Sequence, residues 1–361
     1  MSELKIFSGN RLEILADRLA AVVRQPMATA IEPETVIVQS RGMERWVAMA
    51  LARRNGICAN LLCPFPNAFL ESLFRRFLPD LPEPLPFAPE VLTFRIMKRL
   101  PALVQRPSFS ALGRYLADDA KGLKCFRLAV RLADLFDQYL VFRPQMIRRW
   151  EAGQVGDSAD SRWQAELWRD LMRGHETPHR AQLHRDLLAR LSRLPAPSHD
   201  LPSRVSVFGI SYLAPFHLQA LVALARVTPV YLFLLNPCRE YWGDIMSRRD
   251  INRLAGAVAD ENAVADDLHL EQGHPLLASL GGAGKDFLAA VGGLDAPIED
   301  CFVPVDGSDL LSTIQADIFH LRSPAAFRSR HPDGAAGARA ASADGSIQIH
   351  VCHSPLREIE V

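Results

Sequence analysis

The chain has 361 residues, 48% of them hydrophobic and 23% charged. That balance excludes wholesale disorder, a collagen-like repeat and a disulfide scaffold, and the length suits two or three domains. Lys+Arg and Asp+Glu both number 41, which excludes a global polycation that coats nucleic acid but leaves room for a local basic stripe.

Lys5, Lys98, Lys121, Lys124 and Lys285 are the only lysines. Arginine supplies every other basic residue, and its planar fork pairs bidentately with phosphates and base edges; GC-rich codon usage accounts for the same bias equally well. The six cysteines are scattered with no C-x-x-C pair, which suits reduced, buried thiols rather than zinc or disulfides. No run reaches about 18 uninterrupted apolar residues and the first residues carry no apolar leader, so the expectation is a cytoplasmic protein with no membrane contact.

In chain order, Leu4-Lys5-Ile6-Phe7 reads as a strand, residues 11–24 as a helix, Thr35-Val36-Ile37-Val38 as a strand and residues 43–54 as a helix closed by Gly56. From Phe87 to Leu194 strand signals vanish and helical patterns follow one another between Pro101, Pro107, Pro144, Gly174 and Pro178. Strands return at Val205-Ser206-Val207-Phe208 and at residues 230–235, flanking a helical stretch over 216–226. That spacing is a parallel crossover.

The reading is an α/β domain over residues 1–86 and 200–322, with one parallel sheet, interrupted by an all-helical insertion at 87–199. Residues 323–345, rich in Ala, Gly, Arg and Ser, read as a flexible linker. Ile347, Ile349 and Val351 then alternate with polar neighbours as a strand, and Ser354-Pro355 opens a helix. Residues 346–361 are therefore expected to begin a second, truncated domain of a longer polypeptide.

Motifs for catalysis fail on their context. His175-Glu176-Thr177-Pro178-His179 matches the zinc-protease pattern H-E-x-x-H, but Pro178 breaks the helix that pattern needs. Thr177 and Pro178 read instead as the N-cap and first residue of the next helix. Gly281-Gly282-Ala283-Gly284-Lys285-Asp286 resembles the end of a phosphate loop, yet Ser279 replaces the first glycine and Asp286 the magnesium-binding hydroxyl. A surface loop is the better reading.

A parallel sheet of this order would hold a phosphate loop at Gln39-Ser40-Arg41-Gly42, after the second strand, where there is no Gly-Lys-Ser/Thr. The strand at 205–208 runs into Gly209-Ile210, where an ATPase needs Asp-Glu. The element order is that of a nucleotide motor without its nucleotide chemistry.

The helix over residues 124–143 carries the richest pattern. Arg127, Arg131, Asp134 and Gln138 recur at helical spacing beside Asp137, and Asp, Gln and Arg are side chains that read base edges. A solvated, internally paired face gives the same pattern. Phe65, Phe69, Phe74 and Phe77 interleave with Arg75 and Arg76, a stacking surface for single strands or, preferred here, a core face rimmed by arginine.

Four stretches together closely resemble the RecC family, the gamma subunits of bacterial exodeoxyribonuclease V: Val36-Ile37-Val38-Gln39-Ser40-Arg41-Gly42-Met43, the run from Ala133 through Asp134-Leu135-Phe136-Asp137-Gln138-Tyr139 to Arg143-Pro144, Asn236-Pro237-Cys238-Arg239-Glu240-Tyr241-Trp242, and His350-Val351-Cys352-His353-Ser354-Pro355. The resemblance implies a superfamily 1 helicase-like parallel sheet core with a degenerate ATP site. It implies a noncatalytic DNA-binding subunit, partnered with a helicase-nuclease beta subunit and a helicase alpha subunit. Such a subunit guides single-stranded DNA and reads the Chi sequence during recombinational repair of double-strand breaks. ATP and magnesium would serve the partner subunits, with no cofactor, metal or catalytic residue in this chain.

By matched motif the resemblance assigns DNA contacts to Gln39, Asp134, Leu135, Asp137, Gln138, Arg143 and Arg180, and Arg41, Arg45 and Phe65 complete the expected set. Arg41 stands where the best-known members have a threonine, Arg45 where they have an amide and Glu71 where they have an aromatic, so a different Chi, or none, is expected. The rival readings are an ATP-dependent helicase with an atypical site using Lys285, and a purely structural assembly module.

Overall fold

The computed structural model describes residues 4–27, 29, 31–78, 80–156, 158–174, 177–195, 201–247, 249–251, 253, 274–322 and 344–360. They form two compact units.

The first unit comprises Leu4–Cys63, Pro202–Tyr212 and Val230–Val361 and is built on a parallel sheet. Its strands are β1 (Leu4–Gly9), β2 (Glu34–Ile37), β3 (Leu61–Leu62), β4 (Val205–Phe208), β5 (Val230–Leu235) and β6 (Ile298–Asp300), in the order β3-β2-β4-β5-β1-β6. The first and third sequence blocks thus share one sheet. β2 and β4 are buried along their whole length, as a parallel strand covered on both faces must be.

Register places Phe7 beside Phe233 and Phe233 beside Phe208. The rings of Phe7 and Phe233 stack at 4.9 Å, and Phe208 lies 5.8 Å from Phe233. Each such pair adds about 0.5–1.5 kcal/mol beyond burial. Leu15 and Leu19 of α1 (Leu12–Val23) and Val47 and Leu51 of α2 (Arg41–Asn55) join this aromatic row in the core.

α2 begins where the Ser40 hydroxyl accepts the Met43 N–H at 3.1 Å and ends at Gly56, whose φ of 81° suits the left-handed cap. Later in the chain come α11 (Pro275–Leu280), α12 (Gly282–Gly292), α13 (Leu310–Phe319) and α14 (Pro355–Glu360).

The second unit comprises Pro64–Leu201 and Leu213–Pro229 and is helical: α3 (Pro66–Phe77), α4 (Pro89–Leu103), α5 (Ser110–Leu116), α6 (Leu123–Phe142), α7 (Pro144–Glu151), α8 (Ala159–Met172), α9 (Arg180–Leu191) and α10 (Pro215–Leu224). Proline opens α3, α4, α7 and α10, where its missing N–H costs nothing. Trp168 is fully buried at the centre, 5.4 Å from Phe136 and 5.5 Å from Phe87. Its indole N–H donates to Glu151 at 3.1 Å, so the ring enters the core with its polar atom satisfied.

Several expectations are corrected. Residues 282–286 are not a surface loop but the first turns of α12, anchored by buried Phe287 and Val291. A Cβ on Gly281 would lie 2.9 Å from the Trp242 ring and one on Gly284 3.1 Å from it, so these glycines serve close packing rather than a turn. The cap of α9 is His179 and not Thr177: its ring accepts the Gln182 N–H while the Gln182 side chain accepts the His179 N–H at 3.1 Å. His175 and Glu176 lie outside the described residues.

Residues 347–351 form no strand; Ile349 and Val351 are 86% and 95% exposed. Alternation supplies a face, but no neighbouring strand among the described residues completes a ladder. The helix expected after it is α14. Of the linker read at 323–345, residues 323–343 lie outside the described residues. Strands β3 and β6 went undetected because two or three residues cannot display a period.

The seam of the sheet is β2 against β4, joining segments 170 residues apart. There Arg204 meets Glu34 at 2.6 Å with both side chains 7% exposed. Arg204 also donates to the Gln25 and Val23 carbonyls at 2.8 and 3.0 Å, which places a cation at the C-terminal end of α1. Beside it, Glu32 accepts the Ser203 N–H and hydroxyl at 2.6 and 2.7 Å.

Arg204→Met, which strands the buried Glu34 carboxylate, is expected to cost about 3–5 kcal/mol in urea unfolding. Pairing it with Glu34→Leu should recover most of that loss. A single-variant loss below about 1 kcal/mol would show the pair to be peripheral.

Candidate nucleic-acid interface

α6 starts behind Gly122, which has no side chain to cap it. Asp119 does so instead, accepting the Lys124 and Cys125 N–H groups at 3.1 and 2.7 Å. The bond from Cys125 is the main reason its carboxyl sits below the usual range. Cys125, Ala129, Leu132, Ala133, Phe136 and Leu140 are buried at helical spacing, and α6 lies against α4. The helix stops because Pro144 disfavours the helical region for Arg143, which adopts φ −134° and ψ 46°. The Arg143 guanidinium sits 5.8 Å from the Tyr139 ring centroid, within cation–π reach.

Arg127, Arg131, Asp134 and Gln138 are exposed along one side of α6. None of the four joins an ion pair among the described residues. Asp137 differs: its carboxylate lies 2.9 Å from the Arg180 guanidinium at the start of α9. Burial pushes the Asp137 carboxyl up from its ordinary value, and Arg180 offsets only part of that push. The pair ties α9 to α6. Leu135 is half-buried beside it, and Phe65, 38% exposed, precedes α3.

The remaining expected residues lie in the sheet unit, past the C-terminal end of β2. Gln39 donates to the Tyr212 carbonyl at 3.1 Å, stitching the loop after β2 to the loop after β4. Arg41, in the first turn of α2, pairs with Glu44 at 2.7 Å, and Arg45 is exposed. Beyond the C-terminal ends of β4 and β5 lies a cleft of about 250 Å³ lined by Tyr212, Asn236, Trp242, Leu277 and Gly284, with no charged side chain in its lining. Lys285 points its ammonium at the Ile245 carbonyl, 3.2 Å away.

The helical unit therefore carries Asp134, Leu135, Asp137, Gln138 and Arg143 on or just after α6 and brings Asp137 against Arg180, while α9 also packs on α3, which Phe65 precedes. Gln39, Arg41 and Arg45 gather in the sheet unit. Sequence reasoning missed Gln145 and Arg149 of α7, and His184, Phe216 and Gln219 of α9 and α10, which share a cleft with Arg143. The Arg143-Pro144 break was the legible signal for the first two. The other three depend on tertiary packing. Among the described residues no group of three His, Cys, Asp or Glu side chains is placed to hold a metal ion.

A family model described as RecC, N-terminal domain, matches residues 4–321. The chain belongs to the RecC family. It is 36% identical to RecBCD enzyme subunit RecC of Escherichia coli strain K12 over 387 residues, covering 99% of this chain and 34% of that protein. Against the subunit of the same name from Haemophilus influenzae the identity is 30% over 413 residues, covering 99% and 36%. For that of Mycobacterium tuberculosis it is 30% over 377 residues, covering 99% and 32%. The chain spans about a third of the length of these curated RecC relatives.

One titration follows from the packing around the Arg180 pair. His217 of α10 donates to the Asn67 side chain at 2.9 Å. Burial above all, then the charges of Arg180 and His184, push its imidazole down to about 4. An unfolded histidine titrates near 6.5, so the stability contributed by neutral His217 is fully present above about pH 6.5 and is lost as pH falls toward 4. Urea unfolding across that window should show a loss of at most about 3 kcal/mol that His217→Asn flattens; an unchanged slope in the variant would exclude His217 as its source.

Proposed function

We propose that this chain is the part of a RecC subunit that holds single-stranded DNA, without breaking bonds itself, in a heterotrimeric exodeoxyribonuclease V complex repairing double-strand breaks by recombination. Its partners in this reading are a helicase-nuclease beta subunit and a helicase alpha subunit. The curated relatives support it, each bearing the name of a RecBCD enzyme subunit.

The observation that carries the reading is the exposed stripe of Arg127, Arg131, Asp134 and Gln138 leading to Arg143, whose charges and amide are not consumed by ion pairs among the described residues. Arginines there hold phosphates. Asp134 and Gln138 test base edges, the carboxylate accepting an exocyclic amine and the amide pairing with adenine. Leu135 offers an apolar contact beside them. Asp137 and Arg180, bound to each other, also hold the geometry of this surface.

Chi reading is part of the proposal, with Gln39, Arg41 and Arg45 contributing and the arginines shifting base preference. The sheet is read as a helicase-like core with a degenerate ATP site. Support comes from the missing Gly-Lys-Ser/Thr after β2, the uncharged cleft past β4 and β5, and Lys285 being bound to a backbone carbonyl inside a helical region. ATP and magnesium act in the partner subunits, in the cytoplasm. No described helix is long and apolar enough to cross a membrane.

The test is fluorescence anisotropy of a labelled single strand against the chain across a salt series, with duplex as control and ATP present or absent. The expected result is salt-sensitive, ATP-independent binding with a log-log slope of about −0.7 per phosphate neutralised. Gln138→Ala and Arg143→Ala should weaken it, the latter also flattening the slope by about 0.7. ATP hydrolysis abolished by Lys285→Ala would instead support a helicase, and no binding by folded chain would support an assembly module.

A further inference from the structure

We propose that the cleft beside Arg143 in the helical unit is a nucleotide pocket, taking one unstacked base of a bound single strand with the adjoining phosphate on Arg149. This rests on the single-strand reading above and adds a site to it.

The cleft measures about 420 Å³, within the range of roughly 300–1,000 Å³ typical of small-ligand sites. The proline break between α6 and α7 shapes one wall. Because α6 ends at Phe142, the chain turns at Arg143 and restarts at Pro144, which sets Phe142, Arg143, Gln145 and Arg149 around a common opening. Phe142, an aromatic ring of the cavity lining, is 52% exposed.

The opposite wall comes from α9 and α10. His184 stacks on Phe216 with centroids 4.1 Å apart and 22° between planes, and its Nε2 donates to the Phe216 carbonyl at 2.7 Å. That bond assigns the proton to Nε2. Burial lowers the imidazole's affinity for a second proton, so Nδ1 remains an acceptor.

The lining thus combines two arginines, two amides (Gln145 and Gln219), stacked aromatic rings and no carboxylate. Arg149 joins no ion pair among the described residues. Cations without acidic partners select an anion, and rings with amides select a planar, hydrogen-bonding group attached to it. A nucleotide satisfies both demands. An acidic peptide would use the arginines and leave the amides and rings without a purpose.

The experiment uses the 361-residue chain and two labelled strands of equal length, one with bases and one abasic, in a salt series. Arg149→Ala should weaken both strands and flatten the slope by about 0.7. Phe142→Ala should weaken the base-bearing strand about fivefold or more, since stacking on one aromatic contributes about 1–3 kcal/mol, and leave the abasic strand unchanged. Gln219→Ala, a milder change, should shift the same strand in the same direction. Thermal melts identical to the parent chain establish that each variant is folded.

Equal weakening of both strands by Phe142→Ala, or an unchanged slope in Arg149→Ala, would overturn the pocket. So would displacement of the base-bearing strand by inorganic phosphate as effectively as by a deoxynucleoside monophosphate, which marks a bare anion site. If Gln138→Ala weakens binding while Arg149→Ala and Phe142→Ala do not, the single-strand reading stands and the pocket falls; if the parent chain binds no single strand, both fall.

Discussion

The Glu34 carboxylate and the Arg204 guanidinium meet where two stretches of chain 170 residues apart become adjacent strands. A buried charge without its partner is strongly destabilising, so each of these residues makes the other obligatory. The pair lies at the start of β2 and β4, and one residue on, Thr35 sits beside Val205. Strands buried on both faces tolerate no slip of register, and the ion pair fixes it chemically as well. With that seam closed, most of the chain between β3 and β4, joined by α10 from between β4 and β5, forms a unit of its own with its apolar centre on Trp168 and Phe136. Discontinuity in sequence therefore costs the sheet nothing in order.

Inside the helical unit the same economy recurs at the level of single side chains. α6 turns Ala129, Leu132, Ala133, Phe136 and Leu140 inward and leaves Arg127, Arg131, Asp134 and Gln138 outside. Two half-buried carboxylates nearby have partners: Glu151 accepts from both His179 and Trp168, and Asp137 faces Arg180. Burial is the largest single influence on the Glu151 carboxyl and opposes its ionisation, yet the two donors together hold it below its ordinary value. These satisfied networks keep α6, α8 and α9 in register. In the proposed reading the backbone under the exposed groups is ordered before any strand arrives, which lowers the ordering cost of binding.

Much of this was legible in sequence because it rests on local chemistry. The buried strands announced themselves as short apolar runs, α6 as a long helical period, and Arg143-Pro144 as its end. What escaped detection was set by distant partners. Gly281 and Gly284 looked like a loop because Trp242, the ring that needs them small, lies far away in sequence. The Asp137–Arg180 pair was not foreseen because nothing near Arg180 in the sequence points to Asp137, 43 residues earlier. His179 was overlooked as a cap because proline at the first helical turn is the commoner signal, whereas here an imidazole does the work of a hydroxyl. The alternation at Ile347, Ile349 and Val351 promised a strand, but a strand is a relation between segments and not a property of one.

The proposed contact of the exposed face of α6 with the single strand can be read by photocrosslinking, with a photoreactive side chain placed at Gln138 and, as a control on another exposed surface, at Ser192 at the end of α9. With a labelled single-stranded oligonucleotide, the expected result is a covalent adduct from position 138, suppressed by excess unlabelled single strand, and background signal from position 192. Equal adducts from both positions, or an adduct from 192 and none from 138, would contradict it.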